Sequence, residues 1–205
     1  MYVRSCFQEE LLMKRSTPNA NAQRDSEKDS LIDSRWVYRG RIVNLRLDTY
    51  RLKNRDKIAE IIDHSGAVVI VPVDQKGRLI LVQQWRRAVK EITIELPAGM
   101  IEKDEPPKLC AIRELQEETG FRCDRLTELG GFYSAPGFCN EFLHLFVAEE
   151  LQPSPLPPDD DEGIDLLSVT LEEAIGLIEK NTIHDAKTVA GILRYALWNK
   201  KCASG

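Results

Sequence analysis

The sequence lacks the features that mark membrane-spanning and exported proteins. No apolar run approaches the ~20 residues that a bilayer-spanning helix needs. The N-terminus has no charged start followed by an apolar segment, as a signal peptide would. The five cysteines are an odd number without a C-x-x-C pair, which argues against both a zinc ribbon and a disulfide framework. These absences predict a cytoplasmic protein with reduced thiols and no membrane partner.

The chain also lacks an excess of positive charge. It carries 28 Lys and Arg against 33 Asp and Glu, which gives a formal net charge of -5. A protein with this balance has no general attraction for nucleic acid, so we expect no nucleic-acid partner. A phosphate-bearing substrate would therefore need a cation supplied locally. With 205 residues, 42% of them hydrophobic, the chain can enclose one ordinary core.

The chain divides into three segments by composition. Residues 1–33 are predicted to be a disordered leader, because the stretch from Lys14 to Ser30 is polar and has almost nothing to bury. Residues 34–200 are predicted to form one domain, followed by a tail over 201–205. Apolar patterns predict strands near residues 36–47, 67–73, 79–82, 92–96, 129–133, 142–148 and 164–169, the second and third of them joined as a hairpin. Helices are predicted over 107–119, 171–179 and 186–198, so the fold class is α/β, a mixed sheet flanked by helices.

Acidic residues cluster in the first predicted helix. Glu114, Glu117 and Glu118 stand at positions i, i+3 and i+4, so their side chains are expected to converge on one helix face. Such a cluster repels itself, whereas a divalent cation offsets the repulsion and keeps the oxygens ionised as hard ligands. We therefore predict a Mg²⁺ site here, for which Mn²⁺ could substitute. The alternative interpretation is a solvated acidic helix face.

Arg113 and two glycines support the metal interpretation. Arg113 lies four residues before Glu117, a spacing at which its guanidinium can hold that carboxylate in place. Gly99 suits a tight strand exit where a backbone carbonyl, assigned to Ala98, can turn toward the cation. Gly120 suits the end of the helix in a left-handed conformation.

The segment from Gly99 to Phe121 resembles the Nudix box. Five residues separate Gly99 from Glu105, and seven more lead to the run RELQEETGF from Arg113 to Phe121. The resemblance implies a Nudix-type α/β/α sandwich with a mixed sheet and a strand-loop-helix metal site. It also implies metal-assisted attack of water on a diphosphate linked to a nucleoside. Glu114 and Glu118 rank first as metal ligands and Glu117 follows.

Segments outside the box resemble the ADP-ribose pyrophosphatase branch of that family. They are ELPAG at 95–99, SAPGF at 134–138 and IHDAKT at 183–188. The acidic run at 160–162 resembles a loop of the same branch, in which one carboxylate acts on the catalytic water and another completes the metal site. The resemblance therefore implies Glu162 as a catalytic residue and a metal ligand and, less directly, Asp160 as a catalytic residue, with a solvated acidic turn as the alternative. Which of Glu114, Asp160 and Glu162 acts as the base is left open.

The same resemblance implies the substrate contacts. Arg86 or Arg87 would approach a substrate phosphate or ribose, although a surface arginine is the alternative for each. Pro136 and Gly137 would contact substrate rather than form a plain turn. Trp36 could stack on a nucleobase or belong to a core or interface.

The resemblance further implies a substrate and an assembly. ADP-ribose would give AMP and ribose 5-phosphate, and GDP-mannose is the nearest alternative among nucleotide sugars. An alternative of a different class is a nucleotide-sugar-binding module without turnover. Related proteins are commonly homodimers that exchange N-terminal strands, a use to which the region from Trp36 to Leu52 is suited.

Overall fold

The computed structural model describes residues 19–53, 55–156 and 163–202, which belong to two compact units, 1–61 and 62–205. The boundary between the units falls inside the single domain expected over 34–200, which stays a prediction. The first unit contains a helix, α1 (Ala20–Glu27), followed by β1 (Leu31–Arg39), β2 (Asn44–Leu52) and most of β3 (Arg55–Asp63). These strands form one sheet in the order β1-β2-β3.

The structure describes residues 19–33 of the predicted leader. Asn19 caps α1, since its side-chain oxygen accepts a hydrogen bond from the Ala22 backbone N–H at 2.9 Å. β1 then begins at Leu31, before the expected domain start at residue 34. The composition missed α1 because none of its residues is buried, so no apolar stripe marks it. Residues 1–18 lie outside the described residues, and for them the leader stays a prediction.

The described part of the second unit contains seven strands and three helices. Its strands are β4 (Ala67–Pro72), β5 (Leu79–Arg86), β6 (Glu91–Glu95), β7 (Ala98–Met100), β8 (Phe121–Tyr133), β9 (Phe142–Pro153) and β10 (Ile164–Val169). Its helices are α2 (Pro107–Thr119), α3 (Leu171–Glu179) and α4 (Ala186–Cys202), the last of which enters the predicted tail. The sheets run β7-β4-β9-β8 and β10-β5-β6. β4 and β9 are parallel and their other neighbours antiparallel, so the larger sheet is mixed, as predicted.

The larger sheet separates two hydrophobic cores. Val69 of β4 and Leu145 of β9 face the core that contains residues of α3 and α4. Val68 and Phe146, their neighbours in the chain, face the core that contains residues of α2. All six residues of β4 are buried, as expected for a strand covered on both faces. The predicted α/β/α sandwich is therefore confirmed.

Local signals fix the ends of α2 and α3 at the predicted residues. Pro107 stands at the start of α2, where its missing N–H costs no hydrogen bond. Gly120 ends that helix with a φ of 74°, in the left-handed conformation predicted for it. Thr170 and Glu173 form the capping box of α3, with reciprocal hydrogen bonds of 3.1 and 2.7 Å.

β4 and β5 do not form the predicted hairpin. The turn between them exists, because the Asp74 carboxylate accepts hydrogen bonds of 2.8 Å from the backbone N–H groups of Lys76 and Arg78. Only an isolated bridge between Val73 and Leu79 joins the two segments. Both edges of β4 are occupied by β7 and β9, so β5 pairs with β6 and β10 instead. In the described part of the chain, no helix combines the length and apolar character needed to cross a bilayer.

Candidate active site

Two glutamates of α2, one helical turn apart, reach the short strand β7. The backbone N–H of Ala98 donates a hydrogen bond of 3.0 Å to Glu118 Oε2. Gly99 lies so close to Glu114 that a Cβ atom at this position would overlap the carboxyl group. Gly99 is not among the glycines with positive φ, so the chain needs glycine here for space rather than for a tight turn. The sequence identified the right residue for a different reason.

The Arg113 guanidinium connects the other acidic side chains. Its Nε and Nη2 donate to the two oxygens of Glu105, both at 2.9 Å. Nη1 donates to Glu114 at 2.6 Å and to Glu117 at 2.9 Å, the second being the predicted i,i+4 ion pair. Nη2 also donates to the Met100 carbonyl at 3.2 Å. Because a guanidinium has five N–H groups, these contacts occupy all of its donors.

The surroundings shift the pKa values of this cluster in opposite directions. Burial raises the pKa of Glu114 to about 6, although the neighbouring Arg113 charge opposes the shift. Hydrogen bonds from Arg113 lower the pKa of Glu105 to about 2 despite some desolvation. Glu105 in turn raises the pKa of Arg113. Glu105 and Arg113 are therefore charged at neutral pH, while Glu114 is a much weaker acid than Glu105.

The carboxylates of the three α2 glutamates do not converge on one point in this structure. Over residues 19–53, 55–156 and 163–202, no three acidic, histidine or cysteine side chains are grouped so that they could hold a metal ion. The predicted convergence of three carboxylates is therefore corrected: Arg113 draws Glu114 and Glu117 to itself, while Ala98 holds Glu118.

The residues nevertheless fit a hard divalent cation. Glu114 and Glu117 each use one oxygen for Arg113, and carboxylate oxygens are the ligands that Mg²⁺ prefers. The space that a Cβ on Gly99 would fill lets the Glu114 carboxylate approach the β7 backbone closely. Because the helical spacing puts the three glutamates on one face, we expect side-chain rotation to bring their oxygens together around a cation.

The predicted substrate residues lie in different parts of the chain. Arg86 makes a bidentate contact with Glu95, in which Nε and Nη2 each donate to one carboxylate oxygen at 2.7 Å. Arg87, the next residue, is exposed just after β5. Pro136 and Gly137 lie in the turn between β8 and β9, where the Cys139 N–H donates to the Ala135 carbonyl at 2.9 Å.

The remaining predicted residues lie in the first unit or outside the described residues. Trp36 belongs to β1 in the first unit, where it is 41% exposed. The Arg39 guanidinium carbon lies 4.5 Å from the centre of its indole ring, in a cation–π contact. Asp160 and Glu162 lie outside the described residues, so their roles stay predictions.

No role was predicted for Glu95 or Lys187, which form a partly buried ion pair in the structure. The two residues are 92 positions apart, so no helical or strand spacing could pair them. The available signal was their position in ELPAG and IHDAKT, two segments noted only for resemblance.

A sequence model of the NUDIX domain matches residues 63–191. The chain belongs to the Nudix family. The match begins one residue after the start of the second unit, which identifies that unit as the Nudix domain. The resemblance carried by the box is thereby confirmed, and the protein is a Nudix pyrophosphohydrolase. Nudix hydrolases generally use divalent metal ions, in agreement with the acidic cluster on α2.

Several curated proteins are similar over most of their length. An ADP-ribose pyrophosphatase of Bacillus subtilis (strain 168) is 37% identical over 170 residues, which cover 82% of this chain and 92% of the relative. A methanol dehydrogenase activator of Bacillus methanolicus is 36% identical, with coverages of 80% and 91%. A GDP-mannose pyrophosphatase of Cronobacter sakazakii (strain ATCC BAA-894) is 32% identical, with coverages of 71% and 83%.

The fold also matches a solved structure. The crystal structure of an ADP compounds hydrolase superposes with a TM-score of 0.76, covering 84% of this chain and 94% of the other. The two sequences are 24% identical, so this match supports the Nudix fold alone.

Proposed function

We propose that this Nudix hydrolase converts ADP-ribose to AMP and ribose 5-phosphate with Mg²⁺, for which Mn²⁺ can substitute. The observation that carries the chemistry is the packing of Glu114 and Glu118 against β7 next to the fully engaged Arg113. The choice of ADP-ribose is supported by the 37% identical relative named for that substrate.

The residues of the Nudix box have separate proposed roles in binding the cation and in orienting its ligands. Glu114, Glu117 and Glu118, with the Ala98 carbonyl and Glu162, would hold the cation. When bound, Mg²⁺ would neutralise diphosphate oxygens and lower the pKa of the attacking water. Arg113 orients the glutamates and does not bind phosphate, because its five N–H groups are already used.

The proposed reaction is a hydrolysis that consumes one water molecule. The water oxygen forms a bond to one phosphorus, the bond from that phosphorus to the bridging oxygen breaks, and a carboxylate takes the proton of the water. The carboxylate that takes this proton is proposed to be that of Glu162, Asp160 or Glu114. Conversion of each to its amide, followed by pH–rate profiles, would identify the base as the residue whose loss removes the acidic limb.

A substrate panel tests the proposal. ADP-ribose, GDP-mannose, NADH and diadenosine polyphosphates are incubated with Mg²⁺ or Mn²⁺, and the products are separated by chromatography. We expect the highest kcat/KM for ADP-ribose. A higher kcat/KM for GDP-mannose would support GDP-mannose hydrolysis, the second candidate function. The Cronobacter sakazakii relative, which is named for that substrate, favours this candidate. Tight binding of nucleotide sugars without turnover would contradict both and support a binding module.

We further propose that the protein is a homodimer that exchanges its N-terminal strands. All nine residues of β1, an edge strand, are exposed. They include Ile32, Val37 and Tyr38, whose exposures are 50%, 51% and 59%. A second copy would cover these apolar side chains, which an isolated edge strand leaves in water. Sedimentation equilibrium should show the mass of two chains, and Val37→Asp should lower it; a monomeric wild-type protein would contradict the proposal.

A cytoplasmic location completes the proposal. The four described cysteines, Cys110, Cys123, Cys139 and Cys202, are free thiols. Unpaired thiols are typical of reducing compartments. Fractionation of the source cells with an antibody against the chain would test the location directly.

A further inference from the structure

The hairpin of β5 and β6 buries polar side chains of β6 and exposes one apolar pair across the two strands. Thr93 and Glu95 are 7% and 2% exposed, and Arg86 of β5 folds over the same face to reach Glu95. On the opposite face Trp85 and Ile92 are paired across the strands and are 55% and 66% exposed. Burying polar groups costs free energy, and departures from the usual pattern concentrate at functional sites. The buried polar face is therefore the part of this hairpin that calls for a functional explanation.

Glu95 lies at the centre of that face and accepts hydrogen bonds from three side chains. Arg86 donates from Nε and Nη2 to both carboxylate oxygens at 2.7 Å. The Thr93 hydroxyl donates to Oε1 at 2.5 Å, and Lys187 Nζ donates to Oε2. Burial alone would raise the pKa of Glu95, but these contacts, led by the Arg86 hydrogen bonds, lower it to about 2. Glu95 is therefore a fully ionised and rigidly held carboxylate.

A second set of hydrogen bonds joins Glu95 to the start of α4 and back to the chain that leads into β7. Lys187 Nζ also contacts Asp185 Oδ2 at 3.0 Å, and the same oxygen accepts from the Thr188 hydroxyl at 2.6 Å. The fully buried Thr188 hydroxyl accepts from the Leu96 N–H at 2.8 Å. Two residues after Leu96, Ala98 donates to Glu118. The IHDAKT segment thus connects the hairpin to β7, where Ala98 binds the candidate metal ligand Glu118.

Arg86 has donors to spare in this arrangement. Its bidentate contact with Glu95 uses Nε and one N–H of Nη2, and Nη1 donates no hydrogen bond within the described part of the chain. Its side chain is 39% exposed, in contrast to 3% for that of Glu95. Hydrogen bonds to Glu95 raise the pKa of Arg86 most strongly, and the charges of Glu118 and Asp185 add to the effect.

We propose that Glu95 is a positioning residue of the hydrolytic reaction: it fixes the Arg86 guanidinium so that Nη1 faces the bound diphosphate, and Lys187 fixes Glu95. The proposal rests on the proposed function, since it takes the diphosphate as the ligand of Arg86. A bidentate carboxylate partner keeps an arginine in one orientation, and donors held in place before the reaction stabilise developing charge on phosphate oxygens better than mobile ones. Glu95 itself does not touch substrate.

A double-mutant cycle on kcat/KM tests this role. Glu95→Gln should lower kcat/KM by about tenfold or more, because an unanchored arginine loses its preorganisation. Arg86→Ala should lower it at least as much, and adding Glu95→Gln to Arg86→Ala should cause no further loss. Losses that multiply in the double variant would overturn the proposal, because they would show that Glu95 acts independently of Arg86.

A matched control is available in the other sheet. Glu149 is also a largely buried carboxylate, 21% exposed, and is paired with Arg125 at 3.2 Å. Glu149→Gln should leave kcat/KM at the wild-type value, and a comparable loss in this variant would overturn a specific role for Glu95. Melting temperatures of all variants show whether each is folded at the assay temperature.

Two further readouts separate this proposal from the proposed function. If the wild-type protein leaves ADP-ribose intact, the proposed function fails, and the cycle is run with whichever diphosphate of the panel the protein hydrolyses. Independently of activity, ¹⁵N NMR of the arginine side chains reports on the Arg86 Nε–H, whose signal is assigned by its loss in Arg86→Lys. We expect slow solvent exchange for this proton in the wild type and fast exchange in Glu95→Gln. An unchanged signal would overturn the proposal.

Discussion

Replacement of Gly99 by alanine places a methyl group where the Glu114 carboxyl group lies. The added Cβ would overlap all three carboxyl atoms, so Glu114 must move and lose its 2.6 Å hydrogen bond to Arg113. A displacement of about 1 Å in such a site can cost about 100-fold in rate, which corresponds to about 2.7 kcal/mol. We therefore expect Gly99→Ala to lower kcat/KM about 100-fold. The free energy of unfolding should fall by only about 1–3 kcal/mol, as for other overpacked positions.

The assay compares steady-state kcat/KM at saturating Mg²⁺ with unfolding in urea. Gly176→Ala provides the control, because it adds the same methyl group within α3, where a Cβ atom would meet nothing within 4 Å. This variant should keep its kcat/KM and gain up to about 1 kcal/mol of stability. A folded Gly99→Ala variant with wild-type kcat/KM would refute the argument that the Gly99 space is needed by Glu114.

Three further predictions concern the same domain. Glu118→Gln should lower turnover at least about 100-fold, because the lost charge weakens cation binding and transition-state stabilisation; near-normal kcat at saturating Mg²⁺ would reject this role. Burial raises the pKa of Glu114 to about 6 and the cation binds the ionised form, so the Kd for Mg²⁺ should rise about tenfold per pH unit below about pH 6. Calorimetry from acidic to neutral pH measures this, and a constant Kd would contradict it. Thr170→Ala removes the cap of α3 and should cost about 1 kcal/mol in urea unfolding without changing kcat; unchanged stability would argue against the cap.

The elements that the sequence predicted most accurately carry their own boundary signals. α2 has a proline at its start and a left-handed Gly120 at its end, and α3 has the Thr170 capping box. Both were therefore predicted with the observed bounds. β4 was predicted because it is apolar along its whole length, as a central strand must be.

The elements that were missed depend on neighbours distant in the chain. The first half of β8 reads FRCDRLTE and has no apolar alternation, yet it pairs with β9 from Phe121 onward. β3 is largely exposed and polar, and its place in a sheet depends on the other strands of the first unit. The hairpin error has the same origin, because the sequence shows the turn at Asp74 but not which strands occupy the edges of β4.

The candidate site was predictable where one helix carries it. The Arg113–Glu117 ion pair follows from helical spacing and is present. The bidentate contact of Arg113 with Glu105 spans the loop before α2, and the direction of that loop cannot be derived from spacing. The Arg86–Glu95 contact crosses a hairpin and gains Lys187 from α4, so only the folded chain shows it.

The central claim is metal-dependent attack of water on a diphosphate at the Nudix box. The most direct measurement is mass spectrometry of the products formed from ADP-ribose in ¹⁸O-water, with and without Mg²⁺. We expect AMP and ribose 5-phosphate, with one ¹⁸O in the phosphate of only one of them, and no products when the cation is chelated. Release of ADP and ribose, or equal turnover without a divalent cation, would contradict it.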